Sequence, residues 1–77
     1  MLKQNYVIHE LILDLAFRNV TLPSKLQACI ENIQFSTGEK RLLLIQQAIG
    51  YIVAMKDFNL LNPIICDWII DRLHDAR

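Results

Sequence analysis

Two glycines and two prolines are the only residues in this 77-residue chain that readily break a regular backbone. The chain therefore has few places to turn, and the stretches between turns are long. Three of the four, Pro23, Gly38 and Pro63, stand at a helix-start signal. Thr21-Leu22-Pro23-Ser24 opens a helix, because proline is tolerated in a first turn and forces the residue before it out of the helical region. Ser36-Thr37-Gly38-Glu39 has the spacing of a capping box, in which the serine hydroxyl accepts a backbone N–H and the glutamate reaches back. Asn62-Pro63 reads as an N-cap followed by proline at the first helical position. Four helical segments result, at about 4–19, 23–34, 37–57 and 63–75, within the margin of a few residues that such boundaries carry.

Laid out at about 100° per residue, the second segment is an ordinary amphipathic helix with Leu26, Cys29, Ile30 and Ile33 in one stripe. The other three are far more apolar. In the first, Glu10, Asp14 and Arg18 make a single polar line, and Tyr6, Ile8, Leu11, Ile12, Leu13, Leu15, Ala16 and Phe17 cover most of the rest. In the fourth, Asp67, Asp71, His74 and Asp75 form the polar stripe against Ile65, Cys66, Trp68, Ile69, Ile70 and Leu73. The apolar residues of the third segment span half of its circumference or more. A helix that is apolar nearly all round has to be surrounded. One of four can sit centrally in a small bundle, but three cannot. The expectation is a compact all-α, four-helix single domain that shares its core in a homodimer or docks a helix of another protein. A domain this small buries only about 60% of the surface of its unfolded chain, so either arrangement adds needed stability.

Composition narrows the function classes. Hydrophobic residues make up 53% of the chain, which excludes intrinsic disorder. Eight Lys and Arg balance eight Asp and Glu, whereas nucleic-acid and membrane-surface binders carry a basic excess. The longest apolar run contains Gln46 and Gln47 and is too short for a membrane span. With no secretory signal in its first residues and two cysteines, Cys29 and Cys66, read as buried thiols, the chain is expected in the cytoplasm.

Catalysis has little to stand on. Ser24 and Ser36 are explained by capping, neither cysteine sits in a motif with histidine, and no glycine-rich phosphate loop exists. No enzyme activity, cofactor or metal is expected. Asp67, Asp71, His74 and Asp75 share a face, but a solvated stripe on an otherwise apolar helix accounts for them.

The candidate functional residues are those of an interface. Tyr6, His9, Leu13 and Phe17 on the first helix, with Trp68, Ile69 and Arg72 on the fourth, would supply a contact face. Trp68 and Arg72 lie one turn apart, near enough for a cation–π contact. Leu43, Gln47, Gly50 and Ala54 make a second line on the third helix, where the mid-helix glycine suggests close approach of another helix, within the chain or across a dimer. The favoured function is a protein-interaction module, a regulator, adaptor or chaperone-like protein whose partner is a second copy or another protein. The alternative is a dimeric nucleic-acid-binding regulator contacting DNA through Lys40 and Arg41. Against it, the helix that would read bases continues Leu42-Leu43-Leu44-Ile45 and stays mostly apolar.

Overall fold

The computed structural model describes residues 3–77. Four α-helices follow one another: α1 (Lys3–Phe17), α2 (Ser24–Ile33), α3 (Gly38–Asp57) and α4 (Pro63–Asp75), with no strand among the described residues. They stand in a ring. Each helix packs on its neighbours in sequence and α4 closes back on α1, while among the described residues the backbones of the diagonal pairs α1–α3 and α2–α4 do not approach closely. The Cα radius of gyration is 11.5 Å, the value of about 11.5 Å that the size scaling of folded domains gives for this length.

Local chemistry sets the helix ends. Asn62 Oδ1 accepts the backbone N–H of Ile64 at 2.8 Å, and Pro63 takes the first helical position, as its missing N–H permits. Pro23 stands one residue earlier than the sequence suggested, as the N-cap of α2, with φ −54° and ψ 146° and no side-chain cap bond. The capping box does not form. Thr37 is the N-cap of α3 and makes no side-chain cap bond, while the Ser36 hydroxyl turns back to donate to the Asn32 carbonyl at 2.9 Å. With Thr37 rather than Ser36 as the N-cap, Glu39 falls one position short of where a capping box needs it, and Gly38 takes the turn at φ +60°, where glycine carries no Cβ penalty. Serine is thereby spent on closing α2 rather than opening α3.

Two helices end identically. Asn19 and Asn59 have φ of 57° and 56°. Behind them Val20 N–H bonds the Leu15 carbonyl at 2.9 Å, and Leu60 N–H bonds the Met55 carbonyl at 2.8 Å. With the companion bonds from Asn19 to Ala16 and from Asn59 to Lys56, each end is a Schellman motif with asparagine in the left-handed position.

The core closes within one chain. It comprises Ile8, Leu11 and Leu15 of α1, Leu26, Ile30 and Ile33 of α2, Ile45, Ala48, Ile52 and Met55 of α3, and Cys66, Ile69 and Leu73 of α4, with Leu22 and Ala76 at the edges. This revises the reading of α4. Its wide apolar arc is taken up by its own neighbours: Ile65, Trp68 and Ile70 are half-buried on its flanks, and Asp67, Asp71, His74 and Asp75 remain as the solvated face. In α1 and α3 the arc exceeds what the chain covers.

Candidate interaction surfaces

The α1 residues picked out by the sequence do come together. Ile8, Leu11 and Leu15 turn inward, which leaves Tyr6, Leu13 and Phe17, at i, i+7 and i+11, as one outward stripe. All three are exposed, Phe17 at 88%, with exposed His9 and Glu10 beside them. Three large apolar side chains on one outward line of a helix are more than the scattered exposed apolar residue that any surface carries.

The second line is also outward. On α3 the buried side is Arg41, Ile45, Ala48, Ile52 and Met55, and Leu43, Gln47, Gly50 and Ala54 lie opposite, all exposed. A Cβ built on Gly50 would meet nothing within 4 Å. Gly50 is therefore not there to admit another helix of the same chain. Because α1 and α3 are diagonal in the ring, their outward stripes lie on opposite sides of the molecule.

The α4 contact face does not survive. Ile69 has 0% exposure and belongs to the core. Arg72 is exposed, yet the cation over the Trp68 ring is Arg18, in the turn that ends α1, its guanidinium carbon 4.9 Å from the ring centroid. A neighbouring helix outcompetes the local i, i+4 partner because Trp68 leans to the α1 side, where Arg18 ends the polar line. Trp68 thus fastens α1 to α4. Nearby, Lys56 Nζ reaches Asp67 Oδ1 at 2.6 Å across the α3–α4 turn. That hydrogen bond raises the lysine above its ordinary value.

Sequence reasoning misplaced Arg41. It is 8% exposed and points into the bundle, where Nη1 donates to the Ile33 carbonyl at 2.7 Å. Nε and Nη2 donate to the Ala76 carbonyl at 3.1 and 3.0 Å. Ile33 ends α2 and Ala76 caps α4, so the guanidinium bridges the negative ends of two helix dipoles. Burial pushes its pKa down from the ordinary value, yet a guanidinium starts so high that it stays charged. The side chain assigned to DNA contact is a structural clamp. The signal available was its position at i−4 from Ile45, in the core stripe of α3.

The thiols are also interior. Cys66 is buried and Cys29 half-buried, and the two are not joined in a disulfide. Cys29 Sγ donates to the Leu44 carbonyl at 3.3 Å, and burial raises both thiol pKa values, with Asp67 adding to the effect at Cys66. Two hollows lie between α1 and α2, of about 310 and 430 Å³. They are open to solvent, and among the described residues Glu31 is the one titratable side chain that lines either. Ligand sites are enclosed, with converging polar groups, and these hollows have neither property. Among the described residues no group of three or more His, Cys, Asp and Glu could hold a metal ion, and no helix is long and apolar enough to cross a membrane. Compared with family models, with curated proteins and with solved structures, the chain finds no match in any of the three.

Proposed function

We propose that this chain is a non-enzymatic protein-interaction module, an adaptor or regulator that binds another protein through the outer face of α1. The observation that carries this reading is the stripe of Tyr6, Leu13 and Phe17, exposed on a helix whose opposite face, Ile8, Leu11 and Leu15, is buried in the core. A partner segment laid along it, most simply an amphipathic helix, would remove three large apolar side chains from water. Burying a side chain of this size is worth about 1.5–3 kcal/mol, and helix-mediated recognition relies on apolar anchors lined up on one helix face. Exposed His9 and Glu10 border the stripe and would supply polar contacts at its rim. Two interior thiols suit a reducing compartment, and the reading places the protein in the cytoplasm.

The test is co-purification from the native host with the intact chain and with a Leu13→Gln/Phe17→Glu variant. Both substituted positions are exposed helix sites, so circular dichroism and the melting temperature should be unchanged. A defined partner should be retained by the wild-type chain and lost from the variant. The reading fails if no protein co-purifies, or if the same proteins are retained equally by both.

A further inference from the structure

Along the outward face of α3, Lys40, Leu43, Gln47, Gly50, Ala54 and Asp57 succeed one another at alternating steps of three and four residues, and all six are exposed. This is the spacing of a coiled-coil seam. The seam is also complementary to itself when reversed. A two-fold axis between Ala48 and Ile49 sets Lys40 against Asp57, Leu43 against Ala54, and Gln47 against Gly50. Charge meets opposite charge at both ends, a large side chain meets a small one inside them, and Gln47 meets a residue with no side chain at the centre. A parallel pairing would set Lys40 on Lys40 and Asp57 on Asp57, which like-charge repulsion disfavours.

From this reversed match we propose that the outward face of α3 is a homodimer interface, occupied by a second copy of this chain in an antiparallel α3–α3 pair. Gly50 and Ala54 allow close approach of the two backbones. The open space around Gly50, with nothing within 4 Å of a built Cβ, is then filled by Gln47 of the other copy. Leu42 and Val53 flank the seam on one side and Tyr51 on the other, each at least 40% exposed in the single chain, and the pairing covers them. The interface is isologous, as a two-fold dimer requires. It lies on the side of the molecule opposite the α1 stripe, so a dimer built here leaves that stripe open, and either proposal can fail without the other.

Analytical ultracentrifugation of the full chain over a range of concentrations tests this. The expected result is a monomer–dimer equilibrium weakened by added salt, because its end pairs are exposed charges. Lys40→Asp and Asp57→Lys should each weaken the dimer about tenfold or more, since each turns two attractive pairs into repulsive ones. The double variant should recover most of the wild-type affinity. Gly50→Leu should also separate the copies, yet melt no lower than a wild-type monomer, because leucine is the better helix former and its Cβ enters open space. Both charge reversals suit the helix dipole of α3, so loss of the dimer is not loss of the fold. A chain that stays monomeric at several hundred micromolar overturns the proposal. So does a dimer indifferent to Lys40→Asp and Gly50→Leu, in particular one broken instead by Phe17→Glu.

Discussion

Arg41 shows how one side chain can hold separate elements together. Its guanidinium bonds the ends of α2 and α4 while its backbone belongs to the first turns of α3, so three helix ends meet at a single charge. Hydrogen bonds to a charged group contribute about 1.5–3 kcal/mol each, and truncation would leave the Ile33 and Ala76 carbonyls short of a donor. Arg41→Ala should therefore lower unfolding free energy by roughly 3 kcal/mol, measured by urea titration. Arg41→Lys should recover less than half of the loss, because a lysine ammonium lacks the planar fork that reaches two carbonyls at once. A loss below about 0.5 kcal/mol in Arg41→Ala, the scale of an ordinary surface substitution, would contradict the clamp. The same residue marks a limit of reading by type. An arginine next to a turn reads as a surface charge, and only the convergence of two distant carbonyls makes its burial favourable.

At the scale of the element, most of the fold was legible. Asn62-Pro63 predicts the start of α4, and the structure supplies both the cap bond and the proline at the first helical position. The narrow stripe of Leu26, Cys29, Ile30 and Ile33 predicts the inner face of α2; Leu26, Ile30 and Ile33 are buried and Cys29, at the stripe's edge, is half-buried. The two C-terminal ends were equally available, because asparagine after an apolar periodic run is a known left-handed stop. Asn59→Ala should cost about 1 kcal/mol, since a β-carbon without a compensating side-chain bond is disfavoured at φ 56°. Asn59→Gly should cost nothing or stabilise slightly. Chemical denaturation of the pair separates the conformational effect from any side-chain contact, because equal losses in both would point to a lost contact instead. The capping box failed for a physical reason. The N-cap is Thr37, so Glu39 misses the third helical position, and the Ser36 hydroxyl bonds the Asn32 carbonyl of α2 instead.

For the whole molecule, the interior thiols and the Lys56–Asp67 bond act in one direction with pH. Cys29 and Cys66 hold their protons more tightly in the fold than ordinary thiols do, and Lys56 is raised by its bond to Asp67. A group whose pKa is raised on folding contributes stability below its unfolded value and loses it as pH rises through the folded value. Unfolded thiols ionise from about pH 8.5 and lysine from about 10.4. The contribution of these groups should therefore begin to fall above about pH 8.5 and fall further above about 10. Replacing both cysteines with alanine should remove the first step and leave the second, as followed by melting temperature against pH. A first step that persists in that variant would assign it to other groups.

The sequence by itself determined the four helices, most of their ends, and the presence of more apolar helix surface than a short chain hides. Period, proline geometry and capping are local, and a few neighbouring residues carry them in full. The tertiary structure decided where that surplus lies. Ile69 and part of Trp68 went inward because α1 and α3 flank α4 on both sides, whereas Tyr6, Leu13, Phe17 and the line through Gly50 stayed outward because they lie opposite the faces that α1 and α3 turn to the core. A helical wheel gives the angle of each residue about its own axis. Which angles are covered depends on the neighbours in the ring, and those are fixed by the packing of the whole chain.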